Sequence, residues 1–118
     1  MTALAPPTLA LPLALAHQRC QPMKGQPALI ADEIDQMLAQ VTGWTLAAGA
    51  IEKRYSFPDY RHTIAFVNAL AWMANAEDHH PDLLVSYGQC TVRFNTHDVN
   101  GISVNDFICA AKVDALLA

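Results

Sequence analysis

The stretch Leu83-Leu-Val-Ser-Tyr-Gly-Gln-Cys-Thr-Val-Arg-Phe-Asn-Thr96 decides the fold class. In its second half Cys90, Val92, Phe94 and Thr96 alternate with Gln89, Thr91, Arg93 and Asn95. Side chains two apart share one face of a strand, so this segment buries one face and wets the other. Leu83 to Tyr87 reads as its partner, joined by a tight turn near Gly88 into an antiparallel hairpin. Upstream, Ile51, Tyr55 and Phe57 alternate with Glu52, Arg54 and Ser56, which predicts another half-buried strand interrupted by Lys53. Trp44 to Leu46 begins a fourth extended segment, broken at Gly49.

Helical periods flank these hairpins. Ile30, Ile34, Met37, Leu38 and Val41 recur at helical spacing, with Asp32 and Glu33 early, where the helix dipole favours acids, and Gly43 as the stop. Pro58-Asp59 opens a second helix that runs to about Ala76. Its centre, Ile64-Ala-Phe-Val-Asn-Ala-Leu-Ala-Trp-Met-Ala74, is apolar nearly all round. Such a helix is covered on more than one side, and in so small a chain the second cover is expected from another subunit. Ser103-Val-Asn-Asp106 has the form of a capping box with Asp in place of Glu, ahead of a last helix bearing Phe107, Ile108, Ala111, Ala115 and Leu116. The order α-β-β-α-β-β-α predicts an α+β fold, a four-stranded antiparallel sheet with three helices packed on one face. Pro6, Pro7, Pro12, Pro22, Pro27 and Gly25 make residues 1–27 an irregular N-terminal arm ahead of a domain over residues 28–118.

Composition narrows the function. The chain has 118 residues, enough for one core, and a net charge of −4 with no basic patch to grip a phosphate backbone, so direct nucleic-acid binding is not expected. Charged residues are 15% and hydrophobic ones 53%; ordinary domains carry roughly 25% charged residues. This economy of charge predicts surface hidden in a homo-oligomer. Cys20, Cys90 and Cys109 are an odd number with no CxxC pair, which argues for reduced thiols and against a disulfide scaffold or thiolate zinc site. No basic segment precedes the apolar run in residues 1–16, prolines interrupt it, and no stretch is long enough to span a membrane. The expected location is cytoplasmic.

The candidate chemistry is histidine chemistry. His79-His80 precedes Pro81, which favours extended backbone before it, so the two rings point to opposite sides. His97 follows a strand end, and Asp106 stands in the first turn of the last helix. Loop ends on a rigid scaffold are where reactive groups are presented. A metal site is disfavoured, because adjacent histidines seldom chelate one ion and no HxH or HExxH spacing occurs. His62 reads as an exposed helix residue, Trp44 and Trp72 as core or interface, Cys90 and Cys109 as structural, and Gly101 as a turn glycine.

The segment Glu77-Asp-His-His-Pro-Asp82, with Tyr87, Thr96-His97, Gly101 and Asn105-Asp106-Phe107, closely resembles the pterin-4a-carbinolamine dehydratases. As in that family, a Thr-His follows the second His of a His-His-Pro turn by seventeen positions, and an Asp comes nine later. Gly43-Trp44, Phe57 with Tyr60, and Ala110-Ala-Lys-Val extend the resemblance over about residues 28–118. It implies dehydration of 4a-hydroxytetrahydropterin to quinonoid dihydropterin, recycling the cofactor of aromatic amino-acid hydroxylases, in dimers or tetramers, with no metal or organic cofactor. By position, His79 and His97 would transfer protons, His80 hold the pterin, Asp106 orient a histidine and Pro81 fix the turn. Two positions depart from the family pattern: Asn75 stands where a Glu is common, leaving Glu77 as the acid at hand, and Leu83-Leu84 stand where an aromatic pair is common. The family also includes proteins that bind instead of catalyse, among them Rubisco assembly factors of carboxysome-forming bacteria. Non-catalytic binding, with Rubisco as the partner, is therefore the competing expectation.

Overall fold

A computed structural model of the protein describes residues 14–118. The prolines and the apolar run of residues 1–13 lie outside the described residues. Helix α1 spans Ala31–Leu38, strands β1 and β2 span Thr45–Ala47 and Ala50–Ser56, and helix α2 spans Tyr60–Glu77. Strands β3 and β4 span Asp82–Val85 and Gln89–Phe94, and helix α3 spans Val104–Ala115. The strands form one antiparallel sheet in the order β1-β2-β4-β3. The α+β class and the element order are those predicted.

The alternation of β4 becomes the core. Cys90, Val92 and Phe94 are fully buried, as is Ile51 of β2, against Phe66 and Leu70 of α2 and Phe107, Cys109 and Val113 of α3. The opposite face of the same strands is polar and includes the Arg93–Glu52 ion pair. Lys53, which interrupts the apolar side of β2, is accommodated by an acid from α3: Asp114 Oδ1 lies 2.8 Å from its Nζ. The same carboxylate accepts hydrogen bonds from Trp44 Nε1 at 3.1 Å and from the Tyr55 hydroxyl. Burial first, and then Asp114, push the Tyr55 phenol strongly upward, so it stays a donor. This cluster ties the end of α3 to β2 and to Trp44 just ahead of β1.

Local chemistry sets the helix ends. Asp59 caps α2, accepting the His62 N–H at 2.8 Å. The Ser103–Asp106 capping box forms, with Ser103 Oγ accepting the Asn105 N–H and Asp106 Oδ2 accepting the Ser103 N–H at 2.9 Å. Helix α1 ends at Leu38, short of Val41, and residues 39–43 turn before β1. Gly101 is not the left-handed turn residue; Asn100 is, at φ 51°. A Cβ on Gly101 would stand 3.1 Å from the Ala28 Cβ, so its lack of a side chain allows two segments to approach closely.

Residues 14–27 have one short 3-10 turn, Leu15–His17, and otherwise no helix or strand. They are nonetheless held on the domain. Leu15 is buried in the core, Lys112 Nζ donates to Ala16 O at 2.9 Å, and the Asn105 amide bonds both the N–H and the C=O of Gln21. Among the described residues no helix is long and apolar enough to cross a membrane.

Candidate active site

His79 lies just beyond the end of α2. Asp78 adopts a left-handed conformation (φ 53°, ψ 42°), and the His79 N–H donates back to Ala74 O at 3.1 Å. This closes the helix at the position where the resemblance places the histidine turn. The His79 ring stacks on Phe94 of β4, with centroids 5.8 Å apart and an interplanar angle of 11°. Its Nε2 is 2.6 Å from Asp106 Oδ1.

Asp106 is completely buried, and its carboxylate is saturated by donors. Oδ1 faces His79, while Oδ2 accepts from the Thr96 hydroxyl at 2.8 Å and the Ser103 N–H at 2.9 Å. Thr96 has one hydroxyl proton and gives it to Asp106. Across the 2.7 Å contact between the two hydroxyls, Ser103 therefore donates to Thr96. A carboxylate in this position accepts only, so the Nε2 of His79 carries the proton, and in the neutral ring the lone pair resides on Nδ1.

His80 and His97 are exposed, and neither ring has a hydrogen-bond partner among the described residues. Together with His79, Pro81, Asn95 and Asp98, they line a hollow of about 390 Å³, within the range of small-molecule sites. A second hollow of about 310 Å³ shares Asp78, His79, Thr96 and Asp98 with the first and is walled on its far side by Gln21, Pro22 and Met23 of the arm. His62 is exposed and paired with Asp59 at 2.7 Å, away from these linings.

Glu77, the acid at hand in place of the missing Glu at position 75, is engaged elsewhere. Its side chain is 6% exposed, 2.8 Å from Arg19 Nε and 3.6 Å from Lys112 Nζ, and it accepts the Cys20 N–H at 2.8 Å. Burial pushes its carboxyl up, but the Cys20 N–H, Lys112 and Arg19 together hold it below its ordinary 4.5. A carboxyl depressed in the folded state stabilises fully above its unfolded pKa, and this contribution is lost as pH falls through the lower folded value. Hydrogen exchange at the Cys20 amide, corrected for intrinsic rate, is expected to stay slow down to about pH 4.5 and to quicken below it. The Glu77→Gln protein should show no such step; an identical acid step in that variant would assign it to another group.

Sequence reasoning named the histidines and Asp106 as candidates but missed what holds them. Thr96 and Ser103 entered as a family mark and a cap, and only the fold shows them as one hydroxyl chain ending on Asp106. The place of Phe94 beneath His79 was foreshadowed by its alternation alone. The bonds from Arg19, Cys20 and Gln21 to Glu77 and Asn105 had no signal in a segment rich in proline.

The family model described as pterin 4 alpha carbinolamine dehydratase matches residues 27–116. A Xanthomonas oryzae pv. oryzae protein provisionally named a pterin-4-alpha-carbinolamine dehydratase is 53% identical over 109 residues, 90% of this chain and 91% of its own. One from Nitrosospira multiformis, with the same provisional name, is 48% identical over 103 residues, 86% of this chain and 91% of its own. Among solved structures, a transcriptional coactivator/pterin dehydratase from Brucella melitensis superposes with a TM-score of 0.74 at 28% identity, covering 77% of this chain and 99% of that one. A pterin dehydratase-like protein identified as a RuBisCO assembly factor in the alpha-carboxysome shares the fold, with a TM-score of 0.52 at 24% identity over 62% of this chain and 84% of its own. The chain belongs to the pterin 4 alpha carbinolamine dehydratase family.

Proposed function

We propose that this protein removes water from 4a-hydroxytetrahydropterin to give quinonoid dihydropterin by histidine acid–base catalysis. The observation that carries the reading is the His79–Asp106 pair at 2.6 Å, beside a hollow that His80 and His97 also line. The reaction needs two proton movements. The C4a hydroxyl must gain a proton to leave as water, and N5 must lose one as the C4a=N5 bond forms. Imidazole can serve in either direction near neutral pH.

His79, with Nε2–H on Asp106, offers Nδ1 as the base for the N5 proton. His97 delivers the proton to the departing hydroxyl, His80 holds the pterin, and Pro81 fixes the turn that carries His79 and His80. These steps call for no metal or organic cofactor. A stopped-flow comparison of 4a-hydroxytetrahydropterin decay with and without the protein tests the reading. Acceleration is expected; decay at the uncatalysed rate would overturn it and favour a binding role instead.

We further infer that the protein works as a homo-oligomer assembled through α2. Ala65, Ala69, Trp72 and Ala76 are exposed at helical spacing along one face, and Trp72 is 80% exposed. Small residues around one aromatic ring allow a second copy's α2 to approach closely, and the charge-poor composition leaves little else to repel it. Trp72→Glu is expected to shift the mass measured by light scattering to a smaller species without changing the circular dichroism. A wild-type protein that is monomeric at high concentration would contradict the inference.

A further inference from the structure

Cys20 and Cys109 lie far apart in sequence, yet their sulfurs are 3.5 Å apart. Cys20 sits in the arm and is half-buried, whereas Cys109 is fully buried on α3. A disulfide needs the sulfurs at about 2.05 Å, so the pair is a close dithiol contact one short movement from a bond. That movement is short, and the segment around Cys20 has no helix or strand to disrupt. We propose that Cys20 and Cys109 form a reversible dithiol–disulfide latch that fixes the arm to α3.

The location gives the latch a consequence. The Cys20 N–H is bonded to Glu77, two residues before His79, and Gln21 is bonded to Asn105, next to Asp106. Gln21, Pro22 and Met23 wall the hollow that shares His79. Locking the sulfurs therefore fixes one wall beside the candidate catalytic pair. The latch itself does not rest on the dehydratase reading, since its chemistry involves only the two thiols.

The exchange needs an oxidant, and a small disulfide such as glutathione disulfide suffices. The Cys20 thiolate attacks one glutathione sulfur, breaking that S–S bond and releasing one glutathione thiolate. Cys109, deprotonated, attacks the Cys20 sulfur of the mixed disulfide and expels the second. Two protein thiols are oxidised, one glutathione disulfide is reduced to two thiols, and the two protein protons pass to the leaving thiolates. Cys20 goes first because it is the more accessible sulfur. In the reduced protein the contact with Cys20, followed by burial, pushes the Cys109 thiol strongly upward; burial persists once Cys20 carries glutathione, so closure is the slower step and quickens as pH rises.

Incubation of the full reduced chain with glutathione disulfide, followed by acid quench and intact mass, tests the latch. A loss of about two mass units is expected, with tryptic peptide 20–24 joined to peptide 94–112. The Cys20→Ser protein should show no such loss, and Cys90→Ser should show it unchanged. Closing a loop between positions 89 apart should also raise Tm by roughly 10 °C on oxidation, an increase absent in Cys20→Ser. A lasting glutathione adduct on Cys20, pairing that includes Cys90, or a bridge that leaves Tm unchanged would each overturn the proposal.

Discussion

Replacing His97 by alanine is expected to slow dehydration by about 10²–10⁴-fold, the range for losing one positioned proton-transfer group. The fold should not register the change. The His97 ring is exposed and makes no hydrogen bond among the described residues, and only its backbone carbonyl is used, accepting from Asn100 at 2.9 Å. Surface substitutions of this kind usually fall within about 0.5 kcal/mol of neutral. Activity is thus separated from stability at this position, which makes it the cleanest test of an imidazole's role. His80→Ala should behave differently, raising KM more than it lowers kcat, because its assigned work is to hold the ring. Single-turnover and steady-state stopped-flow measurements on both proteins would distinguish the two. Full activity in His97→Ala would remove it from the reaction.

The parts of this molecule that were legible in sequence are those where a local rule and the global fold agree. Cys90, Val92 and Phe94 alternate because the sheet has one buried face, and the period reports that face directly. The histidine turn could be placed because Pro81 restricts the backbone and because the spacing to Thr96-His97 and Asp106 is specific. What stayed hidden depends on contacts between distant segments. Asp106 was read twice, once as a cap and once as a site residue, and no sequence rule joins the two readings. Its two oxygens do so in space, one on the capping N–H and a hydroxyl chain, the other on His79. The arm shows the opposite failure. Its prolines predicted little regular structure, and residues 14–27 carry only one 3-10 turn, but irregular backbone can still be anchored, here through Leu15, Gln21 and the buried charge of Glu77. Trp72 reads as core or interface from its hydrophobicity, and only its exposure decides against the monomer's own core.

Asp106→Ala should be the most destabilising single change at the site, and Asp106→Asn the most informative. In the alanine protein the Thr96 hydroxyl, the Ser103 N–H and the His79 Nε2–H all lose their acceptor at a position with no solvent exposure. An unsatisfied buried donor costs about 1–3 kcal/mol. With partial relaxation the three together should cost roughly 3–5 kcal/mol, a large part of a typical domain's 5–15 kcal/mol. Urea unfolding would show it as a large drop in midpoint. Asparagine keeps one carbonyl oxygen to accept from Thr96 and Ser103, so the cap survives and most of the stability should remain. Its amide nitrogen, however, then faces His79 and donates. The imidazole must answer by accepting at Nε2, which moves its own proton to Nδ1 and removes the lone pair that would take the N5 proton. Activity should then fall on the order of 10²–10⁴-fold in a folded protein, as expected for a catalytic histidine held in the wrong tautomer. Nitrogen NMR of the His79 ring would report the tautomer independently of rate. An asparagine variant with normal activity and a destabilised alanine variant would reduce Asp106 to a helix cap, and His79 would lose its claim to be the base.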